Sequence, residues 1–211
     1  MKNNLLPIAK EGWRYIFFSV LAIFIFSIFN FTILEFFTLV ITGTLIYIYR
    51  NPERESILYG NSSIVAPSDG RVILIDEIKN DKQFAYKLCI DSSYLDVSLL
   101  RSPLNSEFIS INIRHGSRLS KSSPLSSKIN EYTELLFKDK NKNTLKVKHM
   151  LKQSFSPIEI NINNKQCLVQ GSRYGVMLNG VTTLYLAQNF RMNVNVGDDV
   201  QASQTLIGYF S

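Results

Sequence analysis

Gln170-Gly-Ser-Arg-Tyr-Gly-Val-Met-Leu-Asn-Gly-Val-Thr-Thr-Leu-Tyr-Leu-Ala-Gln-Asn-Phe190 is the stretch on which the fold turns. Two short apolar runs, Tyr174 to Leu178 and Thr183 to Leu186, flank Asn179-Gly180. Asn-Gly between such runs is the strongest local signal for a tight β-hairpin. Val181, Thr182 and Thr183 are strand formers and continue the pattern. The spacing therefore predicts a hairpin turning at Asn179-Gly180.

The same texture extends outward in both directions. Short apolar segments separated by turn residues occur at 71–75, 84–90, 95–100, 108–113, 145–150, 157–162, 166–169, 192–196 and 204–209. Ile109, Ile111 and Ile113 alternate with Ser110 and Asn112, the period of a half-buried strand. Ser126 to Lys138 alone reads as helical, and Lys138-Asp-Lys-Asn-Lys-Asn143 as a solvated turn. No internal repeat and no linker divides this part. The expected fold class is mainly β: a single barrel- or sandwich-like domain, residues 55–211, behind a membrane anchor, residues 1–54.

The anchor is read from Tyr15 to Leu34 and Phe36 to Tyr49, dense in Phe and Ile and lacking a polar face. A helix needs about 20 residues to cross the hydrocarbon; the first run just reaches that and the second falls short. Asn30 to Glu35 forms a polar break between them, and Lys2, Lys10, Arg14 and Arg50 flank the outer ends. The positive-inside rule then keeps both ends cytoplasmic, with a hairpin that spans or dips into the bilayer. No small-residue cleavage site follows, which argues against a removable signal peptide. Asn51-Pro52 ends the second helix.

Composition narrows the function classes. The chain has 211 residues, enough for one domain and an appendage, and a net charge of +6. That charge suits anionic lipid, and the absence of a basic stripe interleaved with aromatics argues against nucleic acid. Cys89 and Cys167 lie in apolar runs and read as two buried free thiols. His115 and His149 have no Cys or carboxylate at ligand spacing, so no metal site is expected.

Several stretches, in order and at their spacings, resemble the short bacterial phosphatidylserine decarboxylases. They are Ile8-Ala-Lys-Glu-Gly-Trp-Arg14 with two apolar segments after it, Tyr49-Arg-Asn-Pro-Glu-Arg54, Pro67-Ser-Asp-Gly-Arg-Val72, Gly171-Ser-Arg-Tyr-Gly175, Leu184-Tyr-Leu186 and Val196-Gly-Asp-Asp-Val200. The resemblance covers nearly the whole chain. It implies removal of carbon dioxide from a serine head group, for which the adjacent carbanion needs an electron sink. In the family that sink is a self-derived pyruvoyl group. A serine after glycine attacks the preceding carbonyl, and elimination from the ester splits the chain. A His oriented by an Asp supplies the base.

Carried over residue by residue, the family's roles are only partly filled. Asp69 matches the Asp, although a turn residue before glycine explains it equally well. The run Asp96-Val-Ser-Leu-Leu-Arg-Ser-Pro103 places Ser98 where the His is expected, while Arg101 and Pro103 remain. Spacing to Gly197 puts Gly180 and Val181 at the scissile Gly-Ser, with one residue lost before Leu184. Val181 has no oxygen and can form neither ester nor pyruvoyl.

The resulting expectation is an uncleaved, catalytically degenerate member of the family, with no cofactor. Its partners would be membrane lipids, phosphatidylserine among them, and a second copy or an active relative. Its place would be the bacterial inner membrane, with the β domain on the cytoplasmic side. One alternative is an active enzyme that cleaves at Gly171-Ser172 or at Thr182 or Thr183 and so carries its own ketone group. Another is a non-enzymatic lipid-binding or adaptor protein, whose β domain would be periplasmic in an inverted topology. A biotinyl or lipoyl carrier is a further alternative on the strength of Val194 to Gly208, but no lysine stands at Asn179-Gly180.

Overall fold

The computed structural model describes residues 6–54, 59–60, 62–79, 83–163 and 165–211. Contacts divide the chain into two compact units, Met1–Glu53 and Arg54–Ser211.

The first unit is a helical hairpin. A 3₁₀ turn, Lys10–Gly12, leads into α1 (Trp13–Ile28), and α2 (Thr32–Ile48) returns alongside it. Asn30, at φ 55°, supplies the left-handed residue that closes α1. The turn occupies Phe29 to Phe31, so Glu35 lies in the first turn of α2, where a carboxylate complements the helix dipole. Most large side chains on both helices are exposed, among them Phe17, Phe24, Phe36 and Ile41. At about 1.5 Å per residue, α2 spans about 26 Å, short of the ~30 Å hydrocarbon. Lys10–Ile28, at 19 residues, is the one described helical stretch long and apolar enough to cross. The open ends are clamped together: Ala9 N–H donates to the Tyr49 carbonyl (2.9 Å) and Asn51 N–H to that of Pro7 (2.7 Å). Tyr49 also stacks on Tyr15 and presses against Gly12, where a Cβ would come within 2.5 Å of the ring.

The second unit is built from antiparallel strands. The first seven are β1 (Ser63–Val65), β2 (Gly70–Glu77), β3 (Tyr86–Ser92), β4 (Leu99–Arg101), β5 (Ser106–Arg114), β6 (Tyr132–Lys138) and β7 (Thr144–Leu151). A single helical turn, α3 (Ser126–Ile129), precedes β6. Then come β8 (Glu159–Ile160), β9 (Cys167–Leu168), β10 (Arg173–Val176), β11 (Gly180–Leu186), β12 (Phe190–Met192), β13 (Asp199–Val200) and β14 (Leu206–Phe210). An eight-stranded sheet runs in the order β13-β2-β3-β11-β7-β6-β5-β9. Two three-stranded sheets, β1-β14-β12 and β4-β10-β8, complete the unit. The alternation Leu145, Val147, His149, Leu151 on β7 sends one face of the large sheet into a core with Leu88, Ile90, Phe137, Tyr174 and Leu184.

Four expectations are corrected. Asn179-Gly180 is not a hairpin turn: β10 pairs with β4 and β8, whereas β11 pairs with β3 and β7. Neither Asn179 nor Gly180 has the positive φ that a type I′ turn needs. The residues between these strands carry the chain from one sheet to another, and long-range pairing overrides the local signal. Of the helix expected over Ser126 to Lys138, only one turn forms, because Thr133, Leu135 and Phe137 alternate inward as a strand. Residues 95–98 form a turn and loop rather than strand, with the Ser93 N–H and hydroxyl both bonded to Asp96. Cys89 is buried, but Cys167 is exposed on the short edge strand β9.

Candidate functional site

The three boxes singled out in the sequence meet at the start of β11. Arg101 N–H donates to the Pro67 carbonyl (2.8 Å), and Met177 N–H to the Ser98 carbonyl (2.8 Å). Gly171 and Ser102 exchange backbone bonds with their neighbours on the facing segment, Gly171 N–H to Ser102 O and Ser102 N–H to Ser172 O (both 2.8 Å). Ser92, register-paired with Gly180, donates its hydroxyl to the Asp69 carbonyl (2.5 Å). Segments more than 100 residues apart in sequence are thus held within a few hydrogen bonds of one another.

Asp69 is almost fully engaged. Arg54 grips it with two parallel bonds, Nη1 to Oδ1 and Nη2 to Oδ2 (2.5 and 2.6 Å), the fork geometry that suits guanidinium and carboxylate. Ala202 N–H adds a third (2.8 Å), and both partners of the ion pair are only 10 % exposed. Among the described residues no histidine is bonded to Asp69; its side-chain partners there are a guanidinium and a backbone N–H.

Val181 stands second in β11, register-paired with Asp91 on one side and Met150 on the other. Its aliphatic side chain shares their face of the sheet and is nearly buried. Ser98 is buried in the segment leading to β4. Ser172 lies in the turn before β10, its Oγ buried and without a hydrogen-bond partner among the described residues. The carbonyl before it, that of Gly171, accepts from the buried Arg101 guanidinium (3.1 Å), and Gly171 takes φ +80°.

One group escaped the sequence reading. On the opposite face of β11, Thr182 is register-paired with His149, and the two are completely buried. Thr182 Oγ lies 2.9 Å from His149 Nδ1, and Tyr174 Oη 2.6 Å from Nε2. Ser68 donates its hydroxyl to Thr182 Oγ (3.0 Å). With Ser68 as donor, the Thr182 proton is free to point at Nδ1, which leaves Nε2–H facing Tyr174. Burial lowers the His149 pKa to about 3 and pushes the Tyr174 phenol up. The imidazole is therefore a neutral hydrogen-bonding group near neutral pH, and its protonation in the core is costly. The inward alternation on β7 marks His149 as buried from sequence; its partner, 33 residues away, is a product of the fold.

Among the described residues no three His, Cys, Asp or Glu side chains gather as a metal site would require.

A family model described as phosphatidylserine decarboxylase matches residues 41–208. The chain belongs to the phosphatidylserine decarboxylase family. Curated members of that family align end to end with it. A phosphatidylserine decarboxylase proenzyme of Nitrosomonas eutropha is 25% identical over 206 residues, covering 96% of this chain and 95% of the relative. The one of Desulfotalea psychrophila is 26% identical over 208 residues, 96% of each chain. That of Geotalea daltonii is 27% identical over 211 residues, 99% of each. The family match reaches from inside α2 to β14, so it includes all three converging boxes. Together with the long apolar stretch Lys10–Ile28, family membership suggests association with a membrane and with lipid.

Proposed function

We propose that this chain is a degenerate phosphatidylserine decarboxylase, uncleaved and without carboxy-lyase activity, retained in phospholipid metabolism as a lipid-binding protein or as the partner of an active relative. Residues 1–54 serve as its anchor in a bacterial inner membrane, and residues 55–211 as a β domain on the cytoplasmic side. The observation that carries this reading is the side chain of Val181. The family's ketone group is made from a serine hydroxyl after glycine, and an isopropyl group offers neither the attacking oxygen nor the leaving oxygen. A pyruvoyl group does not fit this position. Two further features support the reading. Ser98 replaces the expected base, and a serine hydroxyl does not accept protons near neutral pH. Asp69, expected to orient that base, is held by Arg54 and Ala202 instead.

A second reading, self-cleavage elsewhere, has specific observations in its favour. His149 touches the Thr182 hydroxyl, and Arg101 polarises the Gly171 carbonyl next to Ser172. Against it, Thr182 is laddered on both sides in the middle of a sheet, and its histidine resists a proton. Ser172 has no hydrogen-bond acceptor at its hydroxyl among the described residues. The intact mass of protein purified from its own membrane separates the two: one species near 24.1 kDa is expected. A carboxy-terminal fragment capped by a ketone, beginning at residue 172 or 182, would overturn the proposal. Carbon dioxide release from phosphatidylserine vesicles by the purified chain would do the same.

A further inference from the structure

Beside the start of β11, on the Val181 side, a cleft of about 560 Å³ is lined by Asp91, Ser120, Lys121, Ser122, Lys152 and Asn179, with Gln153 at its edge. Lys152 pairs closely with Asp91, and Lys121 reaches the other oxygen of the same carboxylate (3.6 Å). Two ammonium groups therefore share one carboxylate, so the lining carries a net positive charge of one. Lys121 is 50% exposed and keeps donors directed to solvent. The Ser120 and Ser122 hydroxyls, 3.0 Å apart, bond to each other and leave one more donor for a ligand. Gln153 holds a left-handed backbone, φ 43°, unfavourable for a residue with a side chain, and is fixed there by bonds to Arg118 and Tyr94. Such strain collects at ligand sites.

The rim of the cleft is apolar. Tyr94, whose hydroxyl holds the Gln153 carbonyl (2.8 Å), stacks flat on Phe155. Phe155 is 46% exposed, and Leu95 at the tip of the neighbouring turn is 72% exposed. Asp96, the acidic group of that turn, uses its carboxylate on Ser93.

We infer that this cleft binds the phosphodiester of an anionic phospholipid, with Leu95 and the Tyr94–Phe155 pair resting in the bilayer interface. The inference rests on the proposed reading of the chain as a retained lipid binder and names the part of the lipid that is recognised. Lysines beside exposed aromatics match a surface that is charged at the head groups and apolar below them. Asp91, the carboxylate of the lining among the described residues, is already shared by two lysines, so the site reads the lipid's negative charge and offers no free acid there for a serine ammonium. Phosphatidylglycerol should therefore bind as well as phosphatidylserine, and phosphatidylcholine poorly.

The test uses the full chain with Trp13→Phe and Phe155→Trp, so that the single tryptophan reports on the rim. It is reconstituted into vesicles of pure phosphatidylcholine or of phosphatidylcholine containing phosphatidylglycerol or phosphatidylserine. The expected result is a blue shift of the tryptophan emission, with quenching by brominated acyl chains, in both anionic mixtures and not in phosphatidylcholine. Lys121→Gln with Lys152→Gln should lower the apparent affinity by roughly 25-fold, about fivefold per lysine near the surface. A signal independent of lipid charge, or unchanged by the two substitutions, overturns the inference. So does saturation of the cleft by inorganic phosphate with no response to vesicles, and so does a shift specific to phosphatidylserine. Circular dichroism of the double variant shows whether the β unit is intact; Lys121→Gln alone, at the more exposed residue, serves if it is not. The intact mass of the same sample tests the uncleaved state separately, so the two ideas fail independently.

Discussion

His149 makes the stability of the β unit sensitive to acid in a window that can be calculated. Its pKa is about 3 in the folded chain against 6.5 for an unburied imidazole. Between these values the unfolded chain binds a proton that the native chain refuses, so stability rises with pH and falls as pH drops below 6.5. From pH 7 to pH 5 the loss is about 2 kcal/mol, at 1.36 kcal/mol per pKa unit. The stability at stake should be fully present above pH 6.5 and its loss complete only near pH 3. Denaturant unfolding followed by far-ultraviolet circular dichroism at the two pH values measures it, with His149→Gln as the comparison. The variant should be less stable at pH 7, because Thr182 and Tyr174 lose a matched partner, yet lose little more on going to pH 5. Hydrogen exchange should show the acid effect first in β7 and β11. If His149→Gln is as acid-sensitive as the native chain, the buried neutral imidazole is not its source and the reasoning is wrong.

Further outcomes follow from the other groups at the site. On the proposed reading, Val181→Ser supplies an oxygen but no base, and the mass of the variant should show one uncleaved chain; spontaneous splitting would mean that a base exists nearby. Asp69→Ala leaves the Arg54 guanidinium buried and unpaired, and should cost about 3–5 kcal/mol in denaturant unfolding. Gly70→Ala places a Cβ 2.3 Å from the Asp91 carbonyl oxygen at φ +146°, so β2 must shift; a loss of roughly 2 kcal/mol or more is expected, and a neutral result would refute the close packing of β2 on β3. Ser172→Ala removes a buried hydroxyl with no hydrogen-bond partner among the described residues, and should leave a single uncleaved chain whose stability is unchanged or raised by about 1 kcal/mol.

Much of the architecture was legible because it is written in local patterns. The apolar pair of N-terminal segments carries its own signal, as does the alternation in 108–113 and 145–150, and the Lys138–Asn143 turn closes the β6–β7 hairpin as its composition suggests. Local signals misled where distant partners decide. Asn179-Gly180 has the composition of a hairpin, but β3 and β7 pull the following strand into another sheet. Thr133, Leu135 and Phe137 carry a period of two that a search for helical spacing passes over. At the site, Val181 and Ser98 could be set against the family's pattern residue by residue. The grip of Arg54 on Asp69 and the meeting of His149 with Thr182 could not, since neither pair lies on one element.

The ion pair at Asp69 bears on how the β unit can be isolated. Hydropathy invites a cut just after the Tyr49–Arg54 box, which would discard the guanidinium and leave the carboxylate stranded in the interior. A soluble fragment beginning at residue 55 should express poorly or precipitate for that reason alone, whereas one that starts a residue or two earlier keeps the clasp. A single amino acid at the border thus decides whether the enzyme-like half can be handled in water at all.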